Sequence, residues 1–97
     1  MSRTVLYALG GEPYYRDGDD LYATDTGRHV GRFFGSDVYA PSGHYLGELT
    51  SSGRLGSKLA KQGVSRASFG QRGTRGATGT GQAGQAGIPG GFEDFNP

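Results

Sequence analysis

The chain has 97 residues, 33% of them hydrophobic and 20 of them glycine, with a net charge of +1; this leaves room for one small domain with a modest core. It contains no cysteine, which excludes disulfides and thiolate metal sites. No stretch approaches the roughly 20 apolar residues of a membrane span, and the N-terminus lacks the apolar run of a signal peptide, so a cytoplasmic protein with no membrane partner is expected.

The net charge conceals a division. Four arginines against seven acids give residues 1–50 a charge of −3, while six cations against two acids give residues 51–97 a charge of +4. This reads as a basic arm on a mildly acidic body, able to meet a polyanion, its own body or a neighbouring chain.

Along the first two thirds of the chain the glycines keep a beat of sixteen residues: Gly11, Gly27 and Gly43, and again Gly31, Gly47 and Gly63. Tyr7, Tyr22, Tyr39 and Leu55 follow it with one slip. The first copy, around Leu6-Tyr7-Ala8-Leu9-Gly10-Gly11, is degenerate, with Tyr15 at the second glycine position. The second, 18–33, opens on Asp20-Leu21-Tyr22-Ala23, turns at Thr24-Asp25-Thr26-Gly27 and returns through Val30, Gly31 and Phe33. The third, 35–49, repeats this as Asp37-Val38-Tyr39-Ala40, Pro41-Ser42-Gly43, then Leu46, Gly47 and Leu49.

Branched and aromatic residues favour strands, and glycine supplies the positive φ of the turn, so each copy reads as a hairpin. Gly31 and Gly47, inside return strands, mark a bulge or a close backbone approach. In the fourth copy Leu55 fills the tyrosine position and Gly63 keeps register; residues 54–62 fit a strand pair or a short helix carrying Leu55 and Leu59 on one face. Tyr7, Tyr22 and Tyr39 suit a core or a shared surface.

The run of residues 6–64 resembles the four-fold beta flower domain, a small bacterial module of four hairpin-like repeats around a pseudo-four-fold axis. Asp20-Leu21-Tyr22, Gly27-Arg28-His29-Val30-Gly31, Asp37-Val38-Tyr39 and Ser42-Gly43-His44-Tyr45-Leu46-Gly47 carry the resemblance. It implies a compact all-β domain over residues 4–65, without an established activity.

From residue 66 to 97 the hydrophobic pattern stops. Gly70, Gly73, Gly76 and Gly79 are three apart, and after one missing residue Gly81, Gly84, Gly87 and Gly90 continue the period. Pro89 alone supplies an imino acid in that run, too few for a collagen triple helix, so a flexible Gly-rich tail is expected. It ends in Gly91-Phe92-Glu93-Asp94-Phe95-Asn96-Pro97, the composition of a docking peptide with Phe92 and Phe95 as its anchors. Tethering would raise its effective concentration on a nearby site.

Elsewhere the chemistry is sparse. Asp17-Gly18-Asp19-Asp20 lacks the spacing of a calcium loop and reads as a solvated turn. His29 and His44 each follow a turn glycine, where exposure and a structural role are expected. Gly79-Thr80-Gly81 lacks the Gly-Lys-Ser/Thr of a phosphate loop. No catalytic, metal or cofactor-binding residue is assigned, and no small-molecule substrate is implied. Arg72 and Arg75, each before a glycine, allow weak, salt-sensitive binding of nucleic acid through residues 54–75. The favoured reading is a non-catalytic module acting on a protein partner or on a second copy of itself.

Overall fold

The computed structural model describes residues 3–73, 81 and 83–97. Eight strands, β1 (Arg3–Tyr7), β2 (Pro13–Asp17), β3 (Asp20–Ala23), β4 (His29–Phe34), β5 (Asp37–Tyr39), β6 (Tyr45–Leu49), β7 (Leu55–Lys58) and β8 (Phe92–Asp94), form one antiparallel sheet in sequence order. The sheet curls into a half-barrel; Leu9 N–H donates to the Leu55 carbonyl at 3.0 Å, drawing the end of β1 towards β7. The fold is all-β, as the strand-prone repeats require. No helix among the described residues is long and apolar enough to cross a membrane.

Two kinds of link join the strands, alternating as far as β6. Gly18-Asp19 and Gly35-Ser36 join strands whose ends pair as Asp17↔Asp20 and Phe34↔Asp37. Each begins with a glycine at positive φ, 64° and 66°, followed by a residue at negative φ. That is the two-residue hairpin whose twist matches the strands. The wider turns share another pattern: Gly11 N–H bonds to the Ala8 carbonyl, Gly27 to Ala23, Gly43 to Ala40 and Gly53 to Thr50. The fourth of these lies at residues 50–54, ahead of Leu55.

The interior glycines fall at recurring irregularities. Leu21↔Gly31 is followed by Tyr22↔His29, leaving Val30 over; Val38↔Gly47 is followed by Tyr39↔Tyr45, leaving Leu46 over. These are β-bulges. A Cβ on Gly31 would strike the Tyr39 carbonyl, and one on Gly47 the Gly56 carbonyl. Gly63 differs: it turns the chain at φ +95° in open space, after a single 3-10 turn at Leu59–Lys61. Residues 54–62 thus combine a strand, β7, with that turn.

Alternation along the strands sends Ala8, Tyr14, Leu21, Ala23, Phe33, Val38 and Leu55 to the concave face, where they pack with Val30 and Phe95. Tyr22 and Tyr39 are buried on the opposite face, and Tyr7 is half-buried at the end of β1.

Candidate interaction surface

The outer face carries a band of rings. Tyr15 stacks on Tyr22 at 5.2 Å between centroids, Tyr22 lies 5.3 Å from His29, Phe34 5.7 Å from Tyr39, and Tyr39 5.9 Å from Tyr45. Asp20, Asp37 and Glu48 project among them. Residues 61–72 cross this band and bring cations to it. Lys61 Nζ sits 3.0 Å from Asp37 and 3.3 Å from Glu48. The Arg66 guanidinium covers the Phe34 ring at 3.7 Å, and Arg32 covers Phe69 at 4.6 Å. Arg72 Nε lies 3.0 Å from Asp20. The basic half of the sequence therefore meets the acidic half of its own chain.

His29 is the buried centre of this contact, its side chain fully shielded. Its Nε2 lies 3.1 Å from Asp20 Oδ1, and its Nδ1 accepts the Arg72 backbone N–H at 3.0 Å. A nitrogen facing an N–H must carry a lone pair, so these partners assign a neutral ring with its proton on Nε2. The expectation of an exposed His29 is corrected: residues 69–72 lie over that hairpin, while His44, on the next one, is exposed.

On the concave face the C-terminal peptide completes the sheet. β8 pairs with β7 as Gly56↔Asp94, Ser57↔Glu93 and Lys58↔Phe92. Phe95 is 1% exposed and meets Tyr14 edge-on at 5.2 Å. Asp94 Oδ1 accepts the Gly10 N–H at 2.9 Å. The approach to this site is made by Ala83, whose N–H donates to Gly11, by Ala86, which donates to Leu9, and by Arg54, which donates to the Gly84 carbonyl. Gly47 and Gly56 make room for the peptide: a Cβ on Gly47 would come within 2.6 Å of the Phe95 ring, and one on Gly56 within 3.3 Å of the Phe92 ring.

The suggested partner-binding residues thus separate. Phe95 is buried in its own chain, Phe92 is half-buried beside it, Arg72 is on the outer face paired with Asp20, and Arg75 lies outside the described residues. Sequence reasoning missed Asp20, His29 and Gly56, since nothing local marks a residue that meets the chain forty positions later. Two carboxylates of the acidic turn meet cations: Asp19 pairs with Arg16, and Asp20 with Arg32 and Arg72 as well as with the neutral His29 ring. Two open cavities flank the fold. One, of about 480 Å³, lies beside Glu12, Thr24, Arg28 and Pro97, and one of about 350 Å³ lies at the mouth of the concave face by Leu6, Arg16 and Leu49.

No family model matches the sequence, no curated protein matches it, and no solved structure matches the fold.

The buried hydroxyls set an alkaline limit. Burial, helped by Glu12, raises the Tyr14 hydroxyl above its ordinary 10.0; burial also raises Tyr45, which donates to Glu48. The unfolded chain gives up these protons near pH 10 while the folded chain keeps them, so stability falls as pH rises above about 10. Lys61, raised by its hydrogen bond to Asp37, acts with the same sign: its contribution is present below about pH 10 and is lost above. Thermal unfolding should be flat from about pH 7 to 9 and fall steeply beyond 10, with the tyrosinate absorbance of Tyr14 and Tyr45 appearing only as near-UV dichroism is lost. Complete tyrosine titration in an intact fold would contradict this.

Proposed function

We propose that this chain is a non-catalytic protein-interaction module that recognises extended polypeptide by strand addition, and that its own C-terminal peptide is the resident occupant. One observation carries the reading. A short strand far along the sequence pairs with β7 while its Phe95 enters the concave core at 1% exposure. Main-chain bonds at a sheet edge supply affinity in such sites, and a pocket for an alternate side chain supplies selectivity. Here the pocket is the space left by Gly47 and Gly56, and the selected pattern is aromatic, acid, acid, aromatic.

We read the body as a degenerate relative of the four-fold beta flower. In support, a glycine N–H bonds back across the turn at four places, over three residues at 8–11, 40–43 and 50–53 and over four at 23–27; the first three of these in the chain fall on the sixteen-residue beat.

Placing a protease site across residues 87–90 and cleaving it would leave the peptide beside its groove without a tether. The fragment carrying Phe92 and Phe95 should stay bound, and an excess of synthetic peptide with the sequence of residues 91–97 should displace it. The same peptide with Phe95→Ala should not. Immediate loss of the fragment at micromolar protein, with the body unchanged, would sink the reading.

A further inference from the structure

The outer-face segment docks with a regular spacing. Arg66 N–H donates to the Gly43 carbonyl at 2.8 Å, Phe69 N–H to Pro41 at 2.9 Å, and Arg72 N–H to His29 Nδ1 at 3.0 Å. Every third residue points its N–H at the body. The pattern returns further along: Ala83 N–H donates to Gly11 at 2.9 Å and Ala86 N–H to Leu9 at 2.8 Å. Gly11 and Leu9 occupy in the first wide turn the places that Gly43 and Pro41 occupy in the third. Phe69, Arg72, Ala83 and Ala86 each stand immediately before a glycine. The donors therefore follow the glycine period through its slip between Gly79 and Gly81.

Beyond an isolated β-bridge of Ser65 with His44, the extended chain presents one face every third residue, the period of a polyproline II helix, which leaves its N–H groups free to bond outward. Aromatic grooves take such helices readily, because little ordering entropy remains to be lost. The groove here has rings on its floor, Phe34, Tyr39 and His29, and a carboxylate, Asp20, that receives Arg72. The occupant is shallow: Arg66 and Arg72 are exposed and Phe69 is only half-buried.

We propose that the outer face of β3–β6 is a recognition groove for an extended basic peptide of polyproline II form, with arginines six residues apart flanking an aromatic residue, and that residues 64–72 occupy it in this chain. Its partner is a polypeptide of that chemistry, which enters when residues 64–72 leave. This groove lies on the face opposite the Phe95 site and stands independently of it.

The test uses the full chain, as wild type and with Arg66→Ala, Phe69→Ala and Arg72→Ala together, and a labelled peptide with the sequence of residues 64–73 as probe. The weakened chain should bind the probe about tenfold or more tightly than the wild type. N-methylation of the probe at Phe69, which removes one inward N–H and keeps the ring, should cost about tenfold, as should Asp20→Asn in the weakened chain. Equal affinity of the two chains, or an N-methyl group without effect, would overturn the proposal. So would a single-stranded oligonucleotide that binds the wild type in a salt-dependent way and loses that binding in the weakened chain, since the arginines would then serve a polyanion. A second reading on the intact protein guards against a weakened chain that fails to fold. Ser68→Pro, at a position between donors, should leave Tm unchanged or raise it, whereas Phe69→Pro should fall below Phe69→Ala. A Ser68→Pro variant as destabilised as Phe69→Pro also refutes it.

Discussion

Replacing Phe95 by alanine is expected to remove about 3–5 kcal/mol of folding stability, the usual cost of truncating a buried aromatic. A domain of this kind holds about 5–15 kcal/mol in total, so the variant should be largely or wholly unfolded at modest urea. The physical reason is position. Phe95 reaches the same cluster as Leu21, Val38 and Leu55, and its ring is the edge-on partner of Tyr14. Its loss opens a hole in a core too small to collapse around it. Phe92, half-buried at the start of β8, should cost clearly less when truncated. Urea midpoints of the two variants make the comparison; equal effects would show that the strand, and not the ring, supplies the stability.

Gly47→Val is expected to destabilise by about 1–3 kcal/mol or more, through overpacking. Two objects occupy the space that the side chain would need. One is the Gly56 carbonyl, which is backbone and cannot swing away; the other is the Phe95 ring, 2.6 Å from the ideal Cβ. Because the ring is shared, Gly47→Val and Phe95→Ala should not add. The double variant should be more stable than the sum by about 0.5 kcal/mol or more, the range seen for residues in contact. Gly70→Val provides the control, since a Cβ there meets nothing within 4 Å, and its Tm should barely move. A Gly47→Val chain that melts with the wild type would remove the idea that this glycine is kept for space.

The all-β class was legible because its signals are local. Asp20-Leu21-Tyr22-Ala23 and Asp37-Val38-Tyr39 are strand-prone, and the glycines beside them supply the positive φ of the turns. The close approaches at Gly31 and Gly47 were legible for a similar reason, since glycine inside a strand is a poor choice unless a side chain would collide. Less could be seen of the surface. Tyr22 and Tyr39 are buried, as their composition suggests, but alternation gives the concave face to Leu21 and Val38 and places these rings in a second buried layer on the opposite face. The polarity of residues 64–73 suggested a loose arm, because main-chain hydrogen bonds leave no trace in side-chain hydrophobicity. Segments 66–72 and 83–86 are fixed in register by N–H groups, and every residue except proline has one. His29 was misjudged on the same account: what covers it is backbone from forty-three residues away.

The bond from Gly10 to Asp94 joins positions 84 apart in the chain, and it carries a cost in time. Contacts this distant in sequence must wait for a large loop to close, and folding slows as their share grows. A growing polypeptide on the ribosome can form its early hairpins, but the hydrophobic centre lacks its last ring until residue 95 has been made. Until that residue emerges, the centre should stay exposed to solvent and to chaperones.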